Sequence, residues 1–222
     1  MEKEYRKYGC TAVCFLTAFI AWTVLVRFWN VRAIGPLGSS VGCAALNGFV
    51  HDLFGVHLSL YTLTDWLGLV PIAAVIGFAV LGLAQWIRRR SLWRVDRSIL
   101  LLAIFYLIVM AVYMFFEVVV VNVRPVLIDG LSEASYPSST TMLVLCVMPA
   151  CAMQLRIRIR AEFLRRCILA MIYLFTVFMV TARLISGVHW VTDIIGGILI
   201  SAGLVSGYRA CILYHPMEDK PI

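Results

Sequence analysis

Residues 98–121 read SILLLAIFYLIVMAVYMFFEVVVV, and Glu117 is their one charged residue. A helix needs about 20 consecutive, mostly apolar residues to cross the hydrocarbon core of a bilayer. The stretch is long enough and apolar enough for this, so it predicts a transmembrane helix.

Five further stretches have the same character, and they are residues 10–29, 62–87, 140–155, 167–185 and 190–212. The whole chain is 62% hydrophobic and 14% charged, with a mean hydropathy of +0.93. Soluble domains usually carry about 25% charged residues. The sequence therefore predicts an all-α, polytopic membrane protein, a bundle of six transmembrane helices forming a single domain over residues 1–222, with an uncleaved first helix.

The formal charge of +7 is concentrated in short segments between the apolar stretches. The two richest segments contain Arg88, Arg89, Arg90, Arg94 and Arg97, and Arg156, Arg158, Arg160, Arg165 and Arg166. Loops rich in lysine and arginine stay on the cytoplasmic side. With six helices, this predicts both termini in the cytoplasm, a multi-pass plasma membrane location of the bacterial type, and no nucleic-acid partner.

Residues 30–61 form the longest segment on the predicted external side. Their apolar members with helical spacing are Leu46, Phe49, Val50, Leu53 and Phe54, which favours a short helix lying in the membrane interface. His51 and His57 flank Asp52 there, and we interpret them as polar surface. The cysteines show no metal-ligand spacing, so we expect no metal and no cofactor.

The predicted topology brings a set of polar residues to the external ends of the helices. The set comprises Arg124, Arg183, His189, Asp193 and the hydroxyl run 138–141. Charged residues at this depth usually face the bundle interior or water. Tryptophans near the same ends, Trp29, Trp66 and Trp190, are typical of an aromatic belt, and we expect Asp129 and Glu133 to face water.

This set has a coherent chemistry. Arg124 and Arg183 offer forked donors that suit phosphate oxygens, and the hydroxyl-rich start of the fourth helix favours an anion. His189 and Asp193 are four residues apart at a helix start, so they share a face. An aspartate that holds one imidazole nitrogen leaves the other free to act as a nucleophile or base. Together they indicate phosphoryl transfer through a phosphohistidine, without a metal.

Three segments carry a family resemblance: Arg124-Pro125, Tyr136-Pro137-Ser138-Ser139, and Ala182-Arg183 followed by His189 and Asp193. Their order and spacing over residues 117–193 resemble the signatures of the type 2 phosphatidic acid phosphatase family, which is related to the vanadium haloperoxidases. The third segment is specific by itself, and the six-helix plan extends the resemblance over the chain.

The resemblance implies a role for each matching residue. His189 would attack phosphorus, and Asp193 would orient it. Arg124 and Arg183 would hold the phosphate, assisted by Ser138 and by the backbone around Ser139. The family members with this architecture remove phosphate from lipid phosphates or lipid diphosphates, usually at the external membrane face. The implied partners are thus a membrane lipid substrate and the bilayer.

The sequence departs from the family pattern at two catalytic positions and, more mildly, at Ala182, which replaces a serine. Glu117 stands where the first signature has a lysine. At about 4 Å and an effective dielectric constant of about 20, one charge pair is worth roughly 4 kcal/mol, so this reversal is costly if the carboxylate is ionised and points inward. Alternatively, Glu117 pairs with Arg124, or burial protonates it and it replaces a missing acid.

Thr140 stands where the second signature ends in a histidine that protonates the leaving group. A threonine cannot act as an acid near neutral pH, and loss of such an acid typically costs about 10²–10⁴-fold in rate. Since a diphosphate leaving group needs less protonation than an alkoxide, this favours a polyprenyl diphosphate substrate.

The sequence leaves open an alternative function, in which a catalytically inactive relative binds or moves an anionic lipid. A small transporter is disfavoured, because no span is visibly broken and no repeat is present. Vanadate-dependent oxidation is not expected in so compact a membrane chain with an incomplete anion site.

Overall fold

The computed structural model describes residues 2–214, and this part of the chain is mainly helical. The α-helices are α1 (Glu2–Phe28), α2 (Ala44–Phe54), α3 (Leu58–Leu67), α4 (Leu69–Arg89), α5 (Arg97–Val118), α6 (Ser139–Arg158), α7 (Glu162–Ile185) and α8 (Val191–Tyr214). Helices α3 and α4 together form one long apolar span, Leu58–Arg89, so the described residues contain six candidate membrane spans. The predicted six-helix, all-α fold is confirmed.

The bounds of the spans differ from the prediction where polar or branched residues stand at the ends. Helix α1 begins at Glu2 rather than at residue 10 because its polar first turns continue the helix. Helix α5 ends at Val118, at the start of a run of valines, whose branched side chains lower helix propensity. The predicted second span is interrupted at Gly68, where a Cβ atom would lie 2.9 Å from the Asp65 carbonyl oxygen.

A short helix, α2, is present in the segment where an interfacial helix was predicted. Phe49 and Leu53 on this helix are 68% and 64% exposed. Its other side is held to the bundle by the fully buried Asn47. An exposed apolar face beside a buried polar anchor is the arrangement expected of a helix lying at a membrane surface.

Helices α6 and α8 form the centre of the bundle. About half of their most apolar windows is buried, 56% and 50%, against 11–28% for the other spans. Helix α1 packs closely on α8, and a Cβ atom at Gly203 would lie 2.8 Å from the Leu16 side chain. Small residues of this kind let membrane helices approach closely. The two central helices both begin at the end of the bundle that carries the predicted site, here called the site end.

The opposite end, here called the arginine end, is held by a buried polar cluster around Asp96. Its carboxylate accepts hydrogen bonds from Gln85 Nε2 and Arg89 Nη1, both at 2.7 Å, and lies 3.9 Å from Arg158 Nη2. This cluster joins α4, α5 and α6. Between the same three helices, a cavity of about 960 Å³ extends from the site end towards Trp86.

Candidate active site

A short hairpin between α5 and α6 builds one wall of the site. Asp129 and Gly130 both have positive φ angles, 50° and 77°, as the central residues of a type I′ turn require. The turn places Arg124 opposite Glu133, whose carbonyl oxygen accepts the Arg124 backbone N–H at 3.0 Å. Two residues further on, the Ser135 carbonyl group points at His189. The Asp-Gly dipeptide is the sequence signal that could have predicted this hairpin.

His189 is held by the hairpin and by the start of α8. Its Nδ1 lies 3.2 Å from the Ser135 carbonyl oxygen and 3.7 Å from Asp193 Oδ2. Asp193 is in turn fixed by the Trp190 backbone N–H, which donates to Oδ2 at 3.0 Å. Because a carbonyl oxygen can only accept a hydrogen bond, this contact assigns the proton to Nδ1. The lone pair of the neutral imidazole is therefore on Nε2.

The surroundings of His189 keep it neutral. The residue is 4% exposed, and burial lowers its pKa well below the usual value, as do the positive charges of Arg183 and Arg124; the Ser135 carbonyl opposes this shift. His189 Nε2 is buried, and the described residues supply no hydrogen-bond partner for it. A neutral, desolvated imidazole with a free lone pair is suited to nucleophilic attack.

Arg183, near the end of α7, is 1% exposed. Its Nη1 donates to Thr64 Oγ1 at 3.0 Å, and its Nη2 lies 3.9 Å from Asp65 Oδ1. Both partners belong to α3. The guanidinium also lies on the ring of Tyr61, with 4.7 Å between Cζ and the ring centroid. None of these three α3 residues was predicted, since an aromatic residue and a threonine at the start of an apolar span resemble ordinary interface residues.

Arg124 lies at the edge of the same site. Its Nε is 2.9 Å from Glu133 Oε2, and its Cζ is 5.7 Å from the centroid of the Tyr61 ring. Glu133, which was expected to face water, has a side chain that is 43% exposed, and its carboxylate also pairs with Arg124.

The ion pair between Glu117 and Arg124, one of the two alternatives for Glu117, is absent from the described residues. Among the described residues, the carboxylate that pairs with Arg124 is that of Glu133. Glu117 is exposed at the end of α5. It still lines a small pocket together with Ser135 and Ser139, which places it beside the site rather than among the buried groups.

The start of α6 contributes a free hydroxyl group. Ser138 is fully buried and precedes the first turn of the helix, and its backbone N–H donates to the Asp193 carbonyl oxygen at 3.1 Å. Its Oγ has no partner among the described residues, although a residue at this position commonly caps the helix with its side chain. Ser139 and Thr140 follow, half-buried, and both also line the large cavity between α4, α5 and α6.

A buried amide network supports Asp193 from behind. Asn122 Oδ1 accepts the Gly42 N–H at 3.2 Å, and Asn122 Nδ2 lies 3.5 Å from Asp193 Oδ1. Asn47 Nδ2 donates to Thr192 Oγ1 at 3.0 Å, and Asn47 Oδ1 accepts the Thr192 N–H at 3.2 Å. Sequence reasoning missed both asparagines, because a single amide in an apolar segment gives no sign of its distant partner.

Two contacts beside His189 fix the path of the chain. Gly187 has a φ of +69°, and a Cβ atom there would lie 1.9 Å from the Gly55 carbonyl oxygen. Trp190 is 2% exposed and donates from Nε1 to the Val123 carbonyl oxygen at 2.7 Å. The expectation that Trp190 belongs to an aromatic belt is therefore wrong, whereas Trp29 and Trp66 are exposed.

Comparison with known proteins bears on the family and the fold. Residues 124–216 match the family model of the PAP2 superfamily. The fold is similar to that of the crystal structure described as the first transmembrane PAP2 type phosphatidylglycerolphosphate phosphatase from Bacillus subtilis, with a TM-score of 0.60 and 18% identity, over 92% of this chain and 96% of that chain. The sequence matches none of the curated proteins with which it was compared. These findings confirm the predicted family resemblance and support a lipid phosphatase.

Proposed function

We propose that this chain, a membrane protein of the PAP2 type, hydrolyses a lipid phosphate or polyprenyl diphosphate through a phosphohistidine formed on His189. The observation that carries the proposal is a set of buried polar atoms without partners among the described residues: Arg124 Nη1, Arg183 Nε, Ser138 Oγ and His189 Nε2. Buried polar groups are nearly always hydrogen-bonded, so several in one site indicate a missing ligand. A phosphoryl group fits them, since its oxygens accept hydrogen bonds and its phosphorus accepts the imidazole lone pair.

The reaction needs two displacements at phosphorus. In the first, His189 Nε2 forms a bond to phosphorus while the bond to the leaving oxygen breaks, and Nδ1–H stays directed at the Ser135 carbonyl and Asp193. In the second, a water oxygen attacks phosphorus, the N–P bond breaks, and inorganic phosphate is released. Asp193 stabilises the positive charge that develops on the imidazole, as in other histidine–aspartate pairs.

The two guanidinium groups supply the electrostatic part of the mechanism. Arg183 is almost fully buried, and the Arg124 side chain is 10% exposed. Positive donors in a site that excludes water stabilise the charge on transferring phosphoryl oxygens far more than they would in solution. The two arginines thus compensate in part for the missing lysine, whose position is occupied by Glu117.

The large cavity is suited to the hydrocarbon chain of the substrate. It is lined mainly by apolar side chains of α4, α5 and α6, and it reaches from Asp65 and Thr140 to Trp86. From Leu69 to Trp86 the helical rise of 1.5 Å per residue gives a length of about 26 Å. A cavity that starts beside Ser139 and runs along the bundle lets a lipid keep its chain among apolar residues while its phosphate enters the site.

Thr140 favours a diphosphate among the lipid substrates. It lies where the family has its acid, and it lines the cavity next to Ser139. A phosphate leaving group departs with less help from an acid than an alkoxide does, so a polyprenyl diphosphate is the substrate least affected. The concentration of arginines at the other end of the bundle favours the external face for the site end.

The test is release of phosphate by purified protein in detergent, with polyprenyl diphosphate and phosphatidic acid as the two lipids. His189→Ala is expected to abolish release. His57→Ala serves as the matched control, because His57 is exposed and its ring contacts the Phe54 carbonyl oxygen in the adjacent loop. Release that disappears only in His189→Ala supports the proposal. No release from either lipid above the His189→Ala background would sink it and favour the binding or movement of an anionic lipid.

A further inference from the structure

Helix α3 presents one polar face to the phosphate-binding arginines. Tyr61, Thr64 and Asp65 have the spacing of residues on one helical face, and all three contact Arg183. The break at Gly68 separates this helix from α4. Helix α3 is thus a separate element packed on α7, and its polar face forms a wall of the site.

The site has to hold two positive charges close together. Arg124 opposes Arg183 electrostatically, and both guanidinium groups are largely removed from water. Their carboxylate partners offset this repulsion only in part, because the side chains of Glu133 and Asp65 are 43% and 63% exposed. Charges that contact water are strongly screened.

The ring of Tyr61 is the group that both arginines share. The two Cζ atoms lie 4.7 Å and 5.7 Å from its centroid, for Arg183 and Arg124 respectively. An aromatic face carries negative charge density and attracts a cation within about 6 Å. The ring is half-buried and belongs to neither apolar core cluster of the described residues, so packing in the core does not account for its position.

We propose that Tyr61 is a positioning residue for the phosphate site, whose ring face holds Arg124 and Arg183 in one orientation and offsets their mutual repulsion. The ring face is the part of Tyr61 that both arginines share, and the Tyr61 side chain in addition hydrogen-bonds with Arg183. The proposal rests on the proposed function only in assigning the two arginines to phosphate. It predicts that the affinity for phosphate, rather than the chemistry at His189, depends on an aromatic residue at position 61.

The experiment measures binding of inorganic phosphate to the purified protein in detergent, from the rise of the melting temperature with phosphate concentration. Tyr61→Leu is expected to bind phosphate about 10-fold more weakly, since two cation–π contacts are lost. Tyr61→Phe keeps the ring face and loses only the hydroxyl group, so it is expected to lose much less affinity than Tyr61→Leu. Tyr173→Leu, a change of the same kind on the exposed surface of α7, is the matched control. With a lipid substrate, Tyr61→Leu should raise KM more than it lowers kcat.

Replacement of residue 61 by phenylalanines with increasing ring fluorination keeps the shape and weakens the negative face. Phosphate affinity is expected to fall stepwise along this series, which tests the ring even if Tyr61→Leu does not fold. The proposal is overturned if affinity is constant along the series, if Tyr61→Leu binds like the wild type, or if Tyr61→Phe loses as much as Tyr61→Leu. Phosphate binding without lipid turnover would refute the phosphatase and leave the role of Tyr61 intact.

Discussion

Replacement of Asn122 by aspartate tests how Asp193 is held. The two side chains are 2% and 0% exposed, and Asn122 Nδ2 lies 3.5 Å from Asp193 Oδ1. The change keeps the shape of the side chain and the oxygen that accepts the Gly42 N–H. It replaces the donor facing Asp193 by a second carboxylate oxygen, so attraction becomes repulsion in a buried site.

The size of the effect follows from this distance. At about 3.5 Å and an effective dielectric constant of about 20, two like charges repel by roughly 5 kcal/mol. For a chain of this size, each kcal/mol corresponds to about 2–4 °C in melting temperature, so Asn122→Asp should melt about 10–20 °C lower at pH 8. The loss should be smaller at pH 5, because uptake of a proton by the pair removes the repulsion. Turnover should fall as well, since His189 depends on Asp193.

The assay is thermal unfolding in detergent at both pH values, together with phosphate release at a temperature where the variant is folded. Asn30→Asp is the control, because Asn30 is a half-buried residue whose Oδ1 accepts a backbone N–H from Ala45 at 3.0 Å. It should change the melting temperature by only a few degrees. An Asn122→Asp protein that melts within about 2 °C of the wild type at pH 8 would refute the reasoning.

Two further substitutions and one pH profile test other parts of the site. Gly187→Ala should prevent folding or lower the melting temperature strongly, because its Cβ atom would lie 1.9 Å from the Gly55 carbonyl oxygen. Gly77→Ala is the control and should melt like the wild type, because there is open space around Gly77. Equal melting temperatures of the two variants would contradict this prediction. The acid limb of kcat/KM against pH should have its midpoint well below pH 6.5, because burial and two guanidinium groups lower the pKa of His189. The imidazole is protonated and loses its free lone pair only below that pKa. A midpoint near 6.5 or higher would count against His189 as the nucleophile. Thr140→His should supply the missing acid and raise phosphate release from phosphatidic acid by about 10²-fold or more. Its effect on release from a polyprenyl diphosphate should be smaller. An equal effect on both lipids would argue against an acid role for residue 140.

The motif pattern did not predict which carboxylate pairs with Arg124. The sequence places a carboxylate at a position where the family has a lysine, and this suggested a pair with Arg124 or a buried acid. The structure instead pairs Arg124 with Glu133 across the hairpin. The partner of a side chain on a loop depends on how the loop folds back, and the Asp129-Gly130 turn decides this through positive φ angles.

The sequence by itself determined the helical fold, the number of membrane spans, and the end of the bundle where Arg183, His189 and Asp193 gather. Long apolar runs have no alternative in lipid but to form helices, since each backbone polar group must be satisfied within the segment. The spacing from Arg183 to His189 and Asp193 is local in the chain, so the sequence also predicted that these residues lie close together.

Only the tertiary structure decided which groups surround them. The Ser135 carbonyl that assigns the proton of His189, the Asn122 amide beside Asp193, and the Tyr61 ring under both arginines come from segments far apart in the chain. Hydrophobic patterning does not specify such contacts, because it requires only that a face be apolar. Polar partners across helix ends depend on the tilt and register of packed elements, and those emerge when the whole bundle assembles.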